Sequence, residues 1–314
     1  MVVTVGIDVG GTKIAAGVVD ESGTIVARRQ IPTQAADPVQ VVAGITKIAT
    51  EMKALAPAAR AVGVGAAGLI DVARGVVIDA PNIAWQNVHL RAMLEERVKL
   101  PVLVDNDANA AAWGEALYGA GKGAGDQVMV TVGTGIGGGL VVNGALYHGA
   151  LGIGAEIGHM IVHAGGAVCA CGARGCLEAM ASGTAIGRLA RERAHEDSAA
   201  PVIARAGSVE TITGEVVGDA AAHGDPFAAD VIAEAGRWLG VGLASLVNLL
   251  DPDIIVVGGG AAGGCGELLL EPARRSMASH VVSASLRALP PVVAAALGAD
   301  AGIVGAATLA RAVV

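Results

Sequence analysis

The chain contains 314 residues, of which 53% are hydrophobic but only 2% aromatic, and its formal net charge at pH 7 is −8. This length predicts about two domains, and the composition predicts cores built of aliphatic side chains. The acidic balance, without a run rich in Lys and Arg, argues against a partner bound through a phosphate backbone, such as DNA or RNA.

The hydrophobic composition does not predict a membrane protein. The longest uncharged segment, between Asp126 and Glu156, contains nine glycines and an Asn-Gly turn, whereas a membrane-spanning helix needs about 20 mostly apolar residues. The N-terminal segment lacks the basic, hydrophobic and cleavage regions of a signal peptide, and four cysteines in this length do not indicate a disulfide scaffold. We therefore expect a cytoplasmic protein.

The first glycine-rich segment follows a β-branched run that ends at Asp8. The segment nearly matches the phosphate-binding pattern that ends in Gly-Lys-Ser/Thr, but it reads Gly11-Thr12-Lys13, and no helix follows. A second apolar run predicts instead a β-hairpin whose turn presents backbone N–H groups and the Thr12 hydroxyl to anionic oxygens. An ordinary tight hairpin without a ligand remains an alternative.

The next informative segment is a short strand that leads into an Ala-rich helix. Asp105, Asn106, Asp107 and Asn109 cluster at the junction. Helix capping explains one of these residues, because Asp and Asn accept hydrogen bonds from the first free N–H groups of a helix. Four exceed what one cap needs, and the carboxyl end of a strand in an open α/β sheet is where ligands bind. Capping and a catalytic carboxylate are both open at this point.

Two later segments match the dinucleotide fingerprint G-x-G-x-x-G, one starting at Gly133 and one at Gly258. The fingerprint requires a helix after the loop. The first segment is followed instead by Asn143-Gly144, which is typical of a type I′ hairpin. We therefore do not expect a nicotinamide-dependent enzyme.

Three of the four cysteines lie within eight residues, as Cys169, Cys171 and Cys176. Three thiolates and one histidine supply the four ligands of a structural, tetrahedral zinc site. The sequence leaves His159 and His163 as alternatives for the fourth ligand. The remaining cysteine, in the segment from Gly263 to Gly266, has no evident partner, and we interpret it as an incidental loop thiol.

The first two glycine segments lie about 125 residues apart and share the pattern of strand, glycine turn with a threonine, and strand. This weak internal repeat predicts two similar α/β domains that offer their hairpins to a phosphate chain, as in sugar kinases, actin and Hsp70. We predict a smaller N-terminal domain over 1–110 and a larger one over 111–298, which carries the cysteines. A closing helix at about 299–314 is expected to pack back onto the first domain.

Five segments together resemble the ROK family of sugar kinases and repressors, most closely its bacterial glucokinases. They are 6–13, 105–107, 132–144, 156–159 and 169–178. The resemblance implies the two-domain actin/hexokinase/Hsp70-like (ribonuclease H-like) fold with an interdomain cleft. It also implies transfer of the γ-phosphate of ATP to the 6-hydroxyl of glucose, with Mg²⁺, a structural Zn²⁺, and a homodimeric or homotetrameric assembly.

The resemblance also implies roles for particular residues. Asp107 matches the catalytic base, and His159 is favoured over His163 as the fourth zinc ligand. The implied sugar contacts are Gly68, Asn82, Asn106, Asp107, Glu156, His159 and Glu178. The implied nucleotide and Mg²⁺ contacts are Asp8, Gly10, Gly11, Thr12, Lys13, Thr134, Gly135, Gly258, Gly259 and Gly260. The implied zinc ligands are His159, Cys169, Cys171 and Cys176.

Two alternatives to a glucokinase stay open. The first is a kinase for another hexose, such as N-acetylmannosamine, N-acetylglucosamine or fructose. The second is a sugar-sensing regulator without catalysis, which the sequence favours less. The family's repressors carry a DNA-binding module before the first glycine loop, whereas here that loop begins at Gly6, and the Asp107 position is retained.

Overall fold

The computed structural model describes residues 3–35, 37–80 and 83–314. The chain forms two compact units. The first comprises residues 1–127, 139–155 and 299–314, and the second comprises 128–138 and 156–298. The predicted fold class, an α/β protein with two units, is confirmed.

The first unit is built on a five-stranded sheet of order β3-β2-β1-β4-β8, with a smaller sheet of order β5-β6-β7. Strands β1 and β4 are buried along nearly their whole length because Val, Ile, Ala and Gly fill them. The strands are β1 (Val3–Val9), β2 (Lys13–Val19), β3 (Ile25–Pro32), β4 (Ala59–Ala66), β5 (Leu69–Asp71), β6 (Val76–Ala80), β7 (Trp85–Val88) and β8 (Val102–Asn106).

The first glycine segment forms the predicted hairpin. Strands β1 and β2 pair antiparallel, and the backbone N–H of Gly10 donates to the carbonyl of Lys13 at 3.0 Å. Strands β1, β4 and β8 are parallel to one another, which brings the carboxyl ends of β1 and β8 to the same edge of the sheet.

Among the described residues, the α-helices of the first unit are α1 (Pro38–Leu55), α2 (Leu90–Val98), α3 (Asp107–Tyr118) and α11 (Ala301–Leu309). Helix α11 approaches the sheet and α3 through glycines. A Cβ atom on Gly63 would lie 1.8 Å from the Ala306 carbonyl oxygen, and one on Gly305 would lie 1.6 Å from the Ala110 carbonyl oxygen. These positions therefore allow backbone to approach backbone where no side chain fits.

The second sheet has the order β11-β10-β9-β12-β13. Counted along the chain, both sheets follow the order 3-2-1-4-5, which supports the predicted internal repeat. At the tip of its β10–β11 hairpin, Asn143 and Gly144 have φ of 53° and 73°, as a type I′ turn requires. The strands are β9 (Gln127–Val132), β10 (Ile136–Val142), β11 (Ala145–Leu146), β12 (Ile254–Gly258) and β13 (Val292–Ala294).

The remaining helices lie in the second unit. The longest, of 25 residues, begins at an Asp225 cap followed by a proline, a favourable helix start. No helix in the described part of the chain is long and apolar enough to cross a membrane. The helices are α4 (Leu177–Ala181), α5 (Gly183–Glu192), α6 (Ala200–Ala206), α7 (Gly214–Ala222), α8 (Pro226–Leu250), α9 (Gly260–Cys265) and α10 (Glu267–His280).

The compact units differ from the predicted domain limits. A division after residue 110 would cut α3, whereas the first compact unit contains this helix as a whole and extends to residue 127. The physical reason is that α3 packs along α11 and its own strand β8, and all three belong to that unit.

Candidate active site

Asp107 lies where β8 ends and α3 begins. Its neighbour Asn106 is the helix cap: the Asn106 Oδ1 accepts the N–H groups of Ala108 at 2.8 Å and Asn109 at 3.1 Å. The Asn106 side-chain amide also donates to the Gly68 carbonyl at 3.1 Å. Capping therefore accounts for Asn106. One carboxylate oxygen of Asp107 also accepts a hydrogen bond from the Ala108 N–H, at 2.9 Å.

The pKa values of two carboxyl groups in the first unit are raised. Burial raises the pKa of Asp107. Burial, and then the charge of Asp107, raise the pKa of Asp8 to about 7, although Lys13 acts in the opposite direction. Gly302 leaves room for Asp8, because a Cβ there would lie 3.0 Å from the Asp8 carboxyl carbon. Two close carboxylates of this kind attract a proton or a cation.

The turn from Gly10 to Lys13 is exposed beyond Gly10. It is held at its base by Thr33, whose hydroxyl donates to the Gly10 carbonyl at 2.7 Å and whose N–H donates to the Thr12 carbonyl at 3.0 Å. The Thr12 and Lys13 side chains are thus presented to solvent on a fixed turn.

In the second unit, the glycine turn after β9 packs on the start of α5. The Gly183 N–H donates to the Gly133 carbonyl at 2.8 Å, and the Thr184 hydroxyl donates to the Thr134 carbonyl at 2.8 Å. A cavity of about 750 Å³ lies beside this turn. It is lined by Gly133, Thr134, Gly183, Thr184, Gly187, Arg191, Thr213, Gly214, Glu215, Gly218, Asp219, Ala222, Gly260, Ala261, Gly264 and Cys265.

The cavity contains only part of the predicted nucleotide contacts of this unit. Thr134 and Gly260 line it. Gly258 instead ends β12, and Gly259, with φ of 92°, lies against the backbone of Val132. The lining residues from α5 and α7 escaped sequence reasoning because no local motif marks them. Cys265 also lines the cavity and is the buried last residue of helix α9, so its interpretation as a loop thiol is wrong.

The three clustered cysteines meet His159. The possible ligand atoms of these four residues all lie within 4.8 Å of one another. Cys171 Sγ lies 3.7 Å from Cys176 Sγ, and Cys169 Sγ lies 3.7 Å from His159 Nδ1. A tetrahedral zinc site with Zn–S bonds of about 2.3 Å has edges of about 3.8 Å between sulfurs. The donor set therefore fits zinc.

The three thiols of the cluster differ in pKa, and its geometry separates the two candidate histidines. A hydrogen bond from the Ala173 backbone N–H is the main cause that lowers the pKa of Cys171 to about 7. Burial raises the pKa of Cys169 and raises that of Cys176 to about 12. The His163 ring stacks on Trp238, with ring centroids 5.0 Å apart, and is not part of the cluster. The second ring nitrogen of His159, Nε2, lies 4.0 Å from Glu156 Oε2.

Glu178 joins this cluster to the glycine turn. Its Oε2 accepts the backbone N–H of Ile136 at 3.0 Å, and its Oε1 lies 3.7 Å from Cys169 Sγ. A Cβ on Gly135 would lie 2.3 Å from Glu178 Oε2, so the glycine makes this contact possible. Gly135 therefore contacts a carboxylate rather than the cavity.

Two further predicted sugar contacts complete the set. Gly68 has φ of 115° and faces the backbone of Asp79, so no side chain fits there. Asn82 lies outside the described residues.

Comparisons with known proteins extend over the whole chain. A glucokinase of Streptomyces coelicolor is 44% identical over 314 residues, which cover 99% of this chain and 98% of that one. The crystal structure of a ROK family glucokinase from Streptomyces griseus in complex with glucose and AMPPNP has a TM-score of 0.89 at 44% identity, covering 99% of both chains. A ROK hexokinase from Thermus thermophilus has a TM-score of 0.79 at 37% identity, covering 99% of this chain and 98% of that one.

The chain has two β-sheets of the same strand order, an acidic residue at a strand end and a glycine turn beside a cavity, which are features of a sugar kinase. The relatives confirm this predicted enzyme class. The match to the ROK family spans residues 4–313. The chain belongs to the ROK family.

Proposed function

We propose that this protein transfers the γ-phosphate of ATP to the 6-hydroxyl of glucose. The observation that carries the proposal is the similarity, over 99% of both chains, to the Streptomyces griseus glucokinase whose structure contains glucose and AMPPNP. The site chemistry is consistent with it. The first unit offers an acidic strand end and an anion-accepting turn, and the second offers a cavity beside a glycine turn.

Asp107 is the proposed base. It orients the 6-hydroxyl of glucose and takes its proton, while the oxygen forms a bond to the γ-phosphorus and the bond from phosphorus to ADP breaks. Bond formation lags in phosphoryl transfer, so the base acts late and mainly positions the nucleophile. The raised pKa of Asp107 makes it a better proton acceptor than an ordinary carboxylate once it is ionised.

The nucleotide contacts are assigned to both units. Gly10, Gly11, Thr12 and Lys13 bind phosphate oxygens through N–H, hydroxyl and ammonium groups, as do Thr134 and Gly135. The cavity of about 750 Å³ receives the adenosine, since small-molecule sites occupy about 300–1,000 Å³. Gly258, Gly259 and Gly260 form the β12–α9 turn at that side.

Asp8 is the proposed carboxylate near Mg²⁺. A hard divalent cation prefers oxygen ligands, and the raised pKa of Asp8 shows that an ionised carboxylate there needs a positive partner. When bound, Mg²⁺ neutralises charge that develops on the phosphates.

His159, Cys169, Cys171 and Cys176 would hold a structural zinc ion, which fixes the loop that they share. With His159 Nδ1 directed to the metal, Nε2 remains to donate to a sugar hydroxyl. The remaining sugar contacts are assigned to Gly68, Asn82, Asn106, Glu156 and Glu178. These groups are mostly acceptors and suit a ring of free hydroxyl donors.

The proposal is tested by measuring ADP release with glucose, N-acetylglucosamine, N-acetylmannosamine and fructose. We expect the highest kcat/KM for glucose, because an N-acetyl group leaves polar groups of the site without partners, which discriminates by up to roughly 10⁴-fold. An N-acetylhexosamine that matches glucose would reassign the substrate. No turnover with any sugar would favour a sensor instead. The cytoplasmic location and the homodimeric or homotetrameric assembly stay predictions.

A further inference from the structure

Asp105, two residues before the proposed base, is a buried carboxylate with three partners. Only 2% of its side chain is exposed. Its Oδ1 accepts the backbone N–H of Asn106 at 2.7 Å and the side-chain amide of Asn109 at 3.1 Å. Its Oδ2 lies 2.7 Å from Nε2 of His148. A buried charge costs several kcal/mol unless a partner compensates it, and His148 is that partner.

We propose that Asp105 and His148 form a positioning pair for Asp107, in which protonated His148 holds Asp105 and Asp105 holds the start of α3. The inference rests on the proposed function, in which Asp107 is the base. Asp105 contacts the residues before and after Asp107 in the first helical turn, and Asn106 caps the same turn. A displaced Asp105 would therefore change the direction of the Asp107 side chain.

The pair also fixes the loop 148–155. The His148 carbonyl accepts the Gly154 N–H at 2.8 Å, which closes the loop. Gly152, with φ of 81°, lies against the backbone of Ile70 and Val72, at β5. The loop leads in sequence directly to Glu156, a proposed sugar contact. One ion pair therefore holds both this loop and Asp107, so the positions of both depend on the charge of His148.

The charge of His148 is favoured by its surroundings. The hydrogen bond with Asp105 raises the pKa of His148, against an opposing effect of burial. The loop 148–155 carries no other charged side chain. Other ionisable groups on the elements packed against β8 and β11 are Arg60 on β4, Asp71 on β5, Arg91, Glu95, Glu96 and Arg97 on α2, Asp107, Glu115 and Tyr118 on α3, and Arg311 on the 3-10 helix Ala310–Val313. Because the pKa is raised, the pair is intact below the ordinary histidine pKa and is lost as the pH rises through the raised value.

The test compares His148→Gln with His148→Arg, and uses the exposed His195→Gln as the control. Gln donates a hydrogen bond without charge, and misplaced catalytic groups cost up to about 10²-fold. We expect His148→Gln to lower kcat at pH 7 by roughly tenfold or more with little change in the KM for ATP. His148→Arg should keep most of the activity and lose the alkaline limb of the kcat profile that the wild type shows. If His148→Gln kept the kcat and the pH profile of the wild type, the proposal would be overturned.

A second measurement does not depend on turnover. NMR titration of the His148 ring should give a pKa above the usual histidine value of 6.5 in the wild type, and this elevation should disappear in Asp105→Asn. An unchanged His148 titration in Asp105→Asn would contradict the pair whatever the activity. If instead Asp107→Asn keeps full kcat while the NMR result holds, the assignment of the base fails and the ion pair stands.

Discussion

The first unit holds Asp107 at the junction of a buried strand and a capped helix. The second unit holds His159 on a segment with little regular structure, just before the short helix α4 that carries Glu178. Between β11 and α4 the described chain contains a 3-10 helix, Ile157–His159, and two isolated β-bridges. Four potential metal ligands cluster in this segment. Backbone hydrogen bonds thus position the first group of residues, whereas the second group lies among close side-chain contacts.

The difference teaches that these two groups of residues depend on different kinds of interaction. A strand end with a helix cap is stabilised by the same backbone hydrogen bonds that form the core. A loop tied by a metal is stabilised by binding energy that is absent without the metal. Perturbations of the first kind should act on catalysis or global stability, and those of the second kind on sugar binding.

The largest effect is expected at Asp107. Asp107→Asn keeps the shape of the side chain and an oxygen that accepts the hydrogen bond from the Ala108 N–H. It removes the carboxylate that takes the proton of the sugar hydroxyl, so kcat should fall by roughly 10²–10⁴-fold. Steady-state kinetics with glucose and ATP measures this. Asp37→Asn is the matched control, because Asp37 also starts a helix, α1, and caps Val39 and Gln40. Asp107→Asn with more than about a tenth of wild-type kcat would make Asp107 a structural residue.

Loss of the metal should affect the function of residues in the second unit and spare those in the first. Cys171→Ser removes a zinc ligand, and disturbed metal sites typically lose about 10–100-fold in affinity or activity. We expect less than one zinc per chain by elemental analysis, and a higher KM for glucose with a smaller change in the KM for ATP. Cys265→Ser should keep one zinc, because Cys265 lies outside the cluster. A zinc-free wild type with full sugar affinity contradicts this expectation.

Close backbone packing should be essential at Gly305 but not at Gly263. Gly305→Ala places a methyl group where the Ala110 carbonyl lies, so it should lower the free energy of unfolding by about 1–3 kcal/mol or more. Gly263→Ala, in α9, meets no atom within 4 Å and should stabilise by up to about 1 kcal/mol. Chemical denaturation measures both variants. Equal stability of the two would show that α11 can move away from α3 without cost.

The smallest expected effect is the pH dependence of the protein without substrate or Mg²⁺. The folded-state pKa of Asp8 is about 7, above its usual value of 3.8. A raised carboxyl pKa means that stability is lost as the pH rises through the folded pKa. Asp8→Asn should therefore raise Tm at pH 8 by about 2 °C, on the order of 1 kcal/mol, and not at pH 4. A Tm difference that is independent of pH would exclude a titrating Asp8.

Much of the site followed from short stretches of sequence. Glycines with a threonine between β-branched runs predicted the hairpin at Gly10, and Asn143-Gly144 predicted the type I′ turn. The spacing of Cys169, Cys171 and Cys176 predicted a shared cluster. These features are local, because a turn or a short chelating loop depends on the backbone freedom and side chains of a few consecutive residues.

Tertiary structure alone decided the remaining features. The ring of His148 meets Asp105, 43 positions earlier in the chain, and α11 packs through Gly63 and Gly305. The cavity is lined by α5, α7 and α9 together. The family resemblance already favoured His159 over His163, but only the structure places the His159 ring beside the cysteines and the His163 ring on Trp238. Such contacts join residues that are distant in sequence, so they depend on how whole elements pack, which no local pattern of residues encodes.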